Sequence, residues 1–496
     1  MTLGPQNADD SCLVNQTVPA AGSPSTPVQL NEKHEILPSD SPPPGATGHD
    51  DAPRVNHPLR GILAESSSSV SSNERATDSS SDDDDLDETD FPEGGLGAWL
   101  VVFGSFCAMF SVYGIINSAA VFESYFSTHQ LEGYSSSTIG WIFSTYLFIV
   151  FFAGIQVGPI FDRHGPRILV AVGSLLVVAS QMLLGLCKEY YQILLTYSVL
   201  GGIGGALLNV PAYGAVAHFF CARRGLATGI AATAGSIGGI VFPLFLQAVL
   251  PRLGFAWSTR IIGFILLFLS ALANMLVRGR LPPAKRARRA SIMPDWSLFR
   301  DLKFSLCCAG VWFMEWGIFI PLTFIVSYAA AHGQDASDAY TLLAVLNAGS
   351  FFGRCLPGFL ADRIGRFNVI VITNALCAIS ILAFWLPAKD SRVLLIVFAV
   401  TFGFASGSNL GLYPVCIGQL CDTRDYGRFY STALMLGSLG TLTSVPIGGA
   451  LLELGSEPEQ GWLALVLFAA LSYIIAMSCF LGARVIAVSW RVKEVF

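Results

Sequence analysis

Long runs of apolar residues dominate the chain from Gly97 onward. Each run is about 20 residues long, the length that a helix needs to cross about 30 Å of hydrocarbon, and short polar segments separate the runs. The predicted spans are residues 97–118, 138–159, 167–187, 192–217, 225–249, 259–278, 304–328, 340–361, 367–387, 392–417, 428–452 and 462–484. The pattern predicts an all-α membrane protein with twelve transmembrane helices.

The composition also indicates a membrane protein, and it excludes several kinds of functional site. Of 496 residues, 53% are hydrophobic and only 13% are charged, which is too apolar for a water-soluble globular protein. The 11 cysteines show no CxxC or Cys/His spacing, so neither a metal site nor a cofactor is predicted. The patterns G-x-x-x-x-G-K-[ST], G-x-S-x-G and H-E-x-x-H are absent from the sequence, and an enzyme is therefore not expected.

Residues 1–92 form a separate acidic segment with 17 Asp and Glu against 4 Lys and Arg. The segment is rich in Ser, Pro and Asp and has no apolar periodicity, which predicts a disordered cytosolic tail. Serines beside acidic residues are candidate kinase sites, and a solvated spacer is the alternative. Nothing in the sequence predicts binding of nucleic acid.

Lys and Arg residues predict the orientation in the bilayer. With the N-terminus inside, the inner segments hold 19 Lys and Arg and the outer segments 5, as the positive-inside rule requires. The expected divisions are a six-helix half at 93–278, a cytosolic linker at 279–303, a second half at 304–484 and a cytosolic C-terminus at 485–496. The plasma membrane is the expected location.

The two halves repeat with an offset of 200 residues. A G-x-x-x-D-R-x-G motif follows the second and the eighth helix, and N-x-x-x-Y occurs in the fourth and the tenth. Paired six-helix repeats predict a transporter that rocks one half against the other about a midplane site. Its predicted gating residues, which would latch helix ends through carboxylate and guanidinium, are Gly158, Asp162, Arg163, Gly358, Asp362 and Arg363. Two topology-setting basic loops are the alternative.

The doubled motif resembles the major facilitator superfamily. Pro92-Glu-Gly-Gly-Leu-Gly-Ala-Trp99 is similar to the P-[DE]-G-G-x-G-W opening of the monocarboxylate porter family, and residues 218–229 and 347–354 are similar to its fungal members. The resemblance implies a secondary transporter that moves a small organic metabolite by alternating access. Its partners would be that substrate, the lipid bilayer and a proton as co-substrate.

Two ionisable residues inside predicted helices are candidates for the mechanism, because buried charge is costly in a membrane. Arg354 matches the arginine with which the family handles substrate carboxylate; an ion pair for packing or snorkelling to the interface are the alternatives. Glu315, in the seventh helix, is a candidate for proton coupling. A structural ion pair or polar helix contact is the competing interpretation.

Two positions depart from the family pattern. Asn117 stands where animal members carry a lysine, and Ser350 stands one turn before Arg354 where they carry an acid. The departures favour a medium-sized organic metabolite, such as a secondary metabolite in efflux, over lactate. Uptake of a monocarboxylate or riboflavin-like nutrient and a transporter-like nutrient sensor are the alternatives. Further candidate substrate-binding residues, each of which could instead serve as an interhelical hydrogen bond, are Asn117, Asn209, Asn347, Asn409, Tyr213 and Tyr413.

Overall fold

The computed structural model describes residues 91–281, 296–334, 336–454 and 458–489. All regular structure in these ranges is helical. The expectations for the acidic tail up to residue 90, its kinase sites, most of the basic linker and the last seven residues lie outside the described ranges.

Eleven helices in the described ranges are long and apolar enough to cross a membrane. The longest, Arg224–Leu276, has 53 residues and a non-helical residue, Gly254, with φ 73° and ψ 172°. This positive φ suits glycine and divides the helix into two spans, so that the predicted twelve are present. They are α1 (Gly95–Asn117, continued by Ala119–Thr128), α2 (Ser136–Phe152 and Gly154–His164), α3 (Pro166–Leu184), α4 (Tyr190–Ile193, the π-helical Leu194–Leu200 and Gly201–Ala217), α5 and α6 (together Arg224–Leu276), α7 (Leu302–Ala331), α8 (Ala336–Ile364), α9 (Arg366–Ser380 and the π-helical Ile381–Trp385), α10 (Arg392–Gln419), α11 (Tyr426–Leu452) and α12 (Pro458–Val488).

The helices extend beyond the apolar runs. The sequence predicts a polar break at 250–258. In the structure these residues are helical except for Gly254, which separates the two helices. Trp257 lies in this stretch, and the guanidinium of Arg260, just after it, lies 5.3 Å from the ring centre of Trp257. An α-helix satisfies its own backbone hydrogen bonds in lipid and at the interface alike, so hydropathy marks the hydrocarbon crossing and not the helix end.

Large apolar side chains on the outside of the bundle are exposed. Examples are Leu175 at 69%, Phe268 at 65% and Val393 at 70%. Exposed apolar area of this extent is unfavourable in water and is expected where a protein faces lipid. The interior is filled by small and aromatic residues, which allow close helix packing without a hydrophobic driving force between helices.

Contacts between the two six-helix halves run mainly through two helix pairs. α2 packs against α11, and the Arg224–Leu276 helix packs against α8. In the second pair, Gly225 contacts Asp362, Gly229 contacts Arg354 and Gly239 contacts Asn347. The residue numbers rise in one helix as they fall in the other, so α5 and α8 are antiparallel along their shared length.

Candidate functional site

Asp162 lies at the end of α2 that the Lys and Arg distribution predicts to be cytosolic, named the inner end, and reaches across to the other half. Its two carboxylate oxygens accept hydrogen bonds from the backbone N–H groups of Gly427 and Arg428, both at 2.8 Å. These donors belong to the first turn of α11, where backbone N–H groups have no partner within the helix. A carboxylate there satisfies the donors and complements the helix dipole. Asp162 thus caps a helix of the opposite half.

The second half repeats the arrangement. Asp362, at the inner end of α8, accepts from the backbone N–H groups of Gly225 and Leu226 at 2.8 Å each. These donors begin α5, which belongs to the first half. Two equivalent carboxylates therefore tie the halves together on the inner side, and the structure has this side closed.

The guanidinium partners differ from the predicted ones. Arg163 is exposed, and Arg363 lies over the ring of Phe359 in its own helix at 4.2 Å. One residue after the aspartate is about 100° round the helix, so both arginines point away from the interface. The prediction that Arg163 and Arg363 bridge helix ends is therefore corrected.

Two other arginines bridge the halves. Arg224 donates to the carbonyl oxygens of Phe220 and Ala217 in its own half, and to Gly418 O at 2.8 Å and Thr423 Oγ1 at 2.9 Å in the other. Arg366 lies 3.8 Å from the Asp362 carboxylate and donates to the carbonyl oxygen of Cys221 in the opposite half. The carboxylates bind backbone donors and the guanidiniums bind backbone acceptors.

The glycines of the two motifs allow this close approach. A Cβ added at Gly158 would clash with the carbonyl oxygen of Gly427 and with the Ser431 hydroxyl. A Cβ at Gly358 would lie 2.5 Å from Gly225 O. Both motif glycines therefore lie where backbones of the two halves touch.

Arg354 lies in the same α5–α8 interface and is only 8% exposed. Its guanidinium donates to the carbonyl oxygen of Ala232 and packs against Gly235, where an added Cβ would meet the guanidinium in its present position. The Nε group has no hydrogen-bond partner, and no carboxylate in the described ranges forms an ion pair with this residue. A buried guanidinium without a counter-charge is an electrostatically favourable place for an anion.

Hydrogen-bonding groups of four other helices surround this guanidinium. The hydroxyl of Tyr113 on α1 donates to Asn209 Oδ1 on α4 at 3.2 Å, and Tyr213 packs its ring 5.2 Å from that of Tyr430 on α11. Arg354 interacts electrostatically with the hydroxyls of Tyr213, Tyr113 and Tyr413. We name this set, the guanidinium of Arg354 with Tyr113, Asn209, Tyr213, Tyr413 and Tyr430, the central cluster.

Asn117 and Asn347 lie beside the central cluster, and Asn409 does not. The amide of Asn117 donates to Tyr113 O at 2.8 Å and to Gly235 O at 3.1 Å, which joins α1 to α5. Asn117 and Asn347 both lie against Gly239. The Oδ1 atom of Asn409 instead accepts from Thr373 on α9 at 2.5 Å and the amide donates to Cys377, so its interactions are within the second half.

Glu315 lies in α7 and is 2% exposed. Its carboxylate accepts from the Thr441 hydroxyl on α11 at 3.4 Å. No ion pair between Glu315 and Arg354 is present in the described part of the chain, whereas the bond with Thr441 is a polar contact between two helices. Glu315 interacts electrostatically with Tyr213 and Tyr413, which places it beside the central cluster.

Several of these residues are absent from the sequence prediction. Tyr113 is one turn before Asn117, and Tyr430 is two residues after Arg428, but neither belongs to a repeated motif. The position of Arg366 could have been noticed in the sequence, because Arg366 follows Asp362 by four residues whereas Arg167 follows Asp162 by five. That shift puts Arg366 four residues from Asp362, on the same helix face.

Just beyond the inner end of α4, His218 is 5% exposed, and neither ring nitrogen has a hydrogen-bond partner among the residues that the structure describes. Burial, together with the positive charges of Arg224 and Arg280, lowers the pKa of His218 to about 3. The ring is therefore neutral near pH 7. It packs against Phe161, with ring centres 5.3 Å apart.

Comparison with known proteins agrees with this architecture. The family model described as Major Facilitator Superfamily matches residues 101–419 and 306–494. The chain is 39% identical over 399 residues to the MFS-type transporter opdF of Penicillium oxalicum, covering 80% of this chain and 93% of that protein. It is 34% identical to the riboflavin transporter MCH5 of Saccharomyces cerevisiae, covering 87% of both chains. It is 36% identical to the fujikurins efflux protein of Gibberella fujikuroi, covering 82% of this chain and 86% of that one.

Among solved structures, the fucose:proton symporter FucP of E. coli has the same fold, with a TM-score of 0.61 at 17% identity, covering 77% of this chain and 99% of the symporter. The match of the family model, the curated relatives and the twelve-helix architecture lead to one conclusion. The chain is a transporter that belongs to the major facilitator superfamily.

Proposed function

We propose that the central cluster binds a small organic metabolite with an anionic or strongly acceptor-bearing group, and that Arg354 recognises that group. The supporting observation is the buried guanidinium, which forms no ion pair with a carboxylate in the part of the chain that the structure describes. A charge-assisted hydrogen bond from it is about twice as strong as a neutral one. The surrounding tyrosine rings and amides suit a substrate that also has a planar or polar body.

Alternating access follows from the position of the gate. The contacts of Asp162, Asp362, Arg224 and Arg366 close the inner side, and all four bridge the halves. Breaking them lets residues 93–278 rock against residues 304–484 and opens the central cluster to the cytosol. This scheme has the linker and both termini in the cytosol and the protein in the plasma membrane.

Efflux of a secondary metabolite is the proposed direction. One relative is named for efflux of fujikurins and another for efflux of aspyridones. Uptake is the second candidate, because the riboflavin transporter MCH5 is similar over 87% of the chain. Both directions use the same site, and the electrochemical gradients determine the net flux.

Membership of the monocarboxylate porter family is part of the proposal. Its support is the Pro92–Trp99 motif together with Arg354 in α8. Asn117 donates to the backbone of α5, and Ser350 accepts a hydrogen bond from Ser236 at 3.1 Å. Both positions therefore hold neutral side chains that bond to a neighbouring helix. This favours a cargo other than lactate co-transported with a proton.

Proton coupling through Glu315 is a further part of the proposal. The carboxylate is buried beside the central cluster, and among the described residues its partner is a hydroxyl and not a cation. A buried carboxyl with this environment can hold or release a proton as its surroundings change during the cycle. The proton gradient would then supply the energy.

Metabolite profiling of a deletion strain tests the proposed function. Cells and medium from a strain of the source organism that lacks the gene are compared with the parent and with a strain carrying the gene again. We expect an organic acid or similar metabolite to accumulate inside and to decrease outside in the deletion strain only. A nutrient left in the medium would establish uptake, and no difference in either compartment would contradict transport.

A further inference from the structure

The Pro92–Trp99 motif lies against the loop that joins α4 to α5 (residues 218–223, the α4–α5 loop). The carboxylate of Glu93 accepts three backbone hydrogen bonds from this loop, from the N–H groups of Cys221 at 2.6 Å, Ala222 at 2.7 Å and Arg223 at 2.9 Å. Glu93 N also donates to Phe219 O at 3.3 Å. The Glu93 carboxylate thus satisfies three backbone N–H groups of the loop that would otherwise need other hydrogen-bond partners.

The rest of the motif supports this contact. Glu93 and Gly95 have positive φ values, 47° and 80°, a conformation that glycine adopts freely and other residues rarely. Four residues on, the ring of Trp99 packs on Phe220 in the loop at 5.2 Å between centres. The backbone turn and the aromatic contact hold the Glu93 side chain against the loop.

The same loop also forms contacts with the opposite half. Arg366 donates to the carbonyl oxygen of Cys221 and lies 3.8 Å from Asp362. Asp362 in turn caps α5 directly after the loop. A loop that is held by three charge-assisted hydrogen bonds therefore presents one carbonyl oxygen and one helix end to α8 and α9.

We infer that Glu93 is a positioning residue for the inner gate. Its carboxylate fixes the α4–α5 loop in the orientation that binds Arg366 and Asp362, and thereby favours the state in which the inner side is closed. Within the described residues, the hydrogen bonds of Glu93 all go to the loop, so Glu93 acts on the second half through the loop. The inference depends on two halves that separate at the inner side, but not on any particular cargo.

Distances between spin labels on the two halves test the inference without a substrate. His164 at the end of α2 and Ile364 at the end of α8 are exposed and are replaced by cysteine for labelling, in a background whose partly exposed native cysteines are serine. Glu93→Gln should raise the ratio of long to short distances about tenfold, because a neutral amide replaces charge-assisted acceptors. The matched control is Glu123→Gln, a half-buried glutamate near the outer end of α1, which should leave the ratio unchanged.

A double-mutant cycle separates positioning from a general loss of folding. If Glu93 acts through Arg366, adding Glu93→Gln to Arg366→Gln should shift the ratio little beyond Arg366→Gln alone. Glu93→Asp should give a smaller shift in the same direction, and it replaces Glu93→Gln if that variant is not monodisperse. Unchanged distances in the Glu93 variants, or fully additive shifts in the cycle, would overturn the inference. A shifted gate with no cargo found would leave the inference intact and reject only the proposed function.

Discussion

Glu315 and Arg354 are both buried in the membrane-spanning part of the chain, yet they do not pair with each other. Arg354 donates to a backbone carbonyl of α5, and Glu315 accepts from a threonine of α11. The sequence predicted the positions of both residues within their helices. It could not predict their partners, because helix rotation is set by packing against all neighbours at once.

Glu315→Gln tests the proton-coupling proposal. Glutamine has nearly the same shape and its Oε1 atom can still accept from Thr441, but it cannot release a proton. We expect the pH dependence of transport to become flat while the protein remains in the membrane in normal amount. Thr441→Val, which removes the hydroxyl partner and keeps the carboxylate, should shift the profile and not flatten it. An unchanged profile in Glu315→Gln would assign the residue to helix packing.

His218 predicts a pH dependence of stability. Its pKa is about 3 in the folded protein and about 6.5 when exposed, so the unfolded state binds the proton more readily. The free energy of unfolding therefore has its full value above pH 6.5. It decreases as the pH falls, by about 2 kcal/mol at pH 5. Thermal unfolding in detergent at pH 7.5 and pH 5 measures this, and His218→Gln should reduce the difference. An equal loss in both proteins would contradict the assignment.

At the scale of elements, the inner gate is made of helix ends. The repeated motif predicted that Asp162 and Asp362 would lie at helix ends, and each lies near the end of its helix. The prediction that Arg163 and Arg363 would be their partners is wrong, since each aspartate caps the first turn of a helix in the other half. A motif gives spacing along one helix, whereas the partner lies more than 130 residues away.

Asp362→Asn tests the cap on α5. The amide keeps the shape but loses the charge, and its NH₂ group cannot accept from Gly225 or Leu226. A hydrogen bond to a charged group contributes about 1.5–3 kcal/mol and one between neutral groups about 0.5–1.5 kcal/mol, so the inner-closed state should lose roughly tenfold in population. Arg363→Gln, one residue further on, is the control and should behave as wild type. Unchanged label distances in Asp362→Asn, or an equal shift in Arg363→Gln, would contradict the cap on α5.

Gly158→Ala tests the close approach of α2 and α11. The added methyl group would clash with Gly427 and Ser431, and overpacking of this kind typically costs 1–3 kcal/mol. We expect the inner side to open in label distance measurements and transport to fall. Gly140→Ala in the same helix is the control, since no atom lies within 4 Å of the added methyl group. Normal closure in Gly158→Ala would contradict the described contact.

At the scale of the whole molecule, hydropathy and the 200-residue repeat were sufficient to predict twelve helices in two halves. The central cluster was predicted only in part. Asn209 and Tyr213 belong to a repeated motif, and Arg354 is a charged residue inside an apolar run. Tyr113 and Tyr430 are tyrosines in apolar helices that no motif marks. Asn409 occupies the repeat position of Asn209 but bonds within its own half. The halves share a fold, and their side chains have different tasks.

The most direct test of the account is transport by the purified protein in liposomes, with the compound identified by metabolite profiling as cargo. Wild type should show saturable transport, and Arg354→Ala should show no more than protein-free liposomes. Label distances in Arg354→Ala should still report both inner-closed and inner-open states, which would show that the fold and the gate remain. Transport by Arg354→Ala at the wild-type rate would contradict the central role of the buried guanidinium.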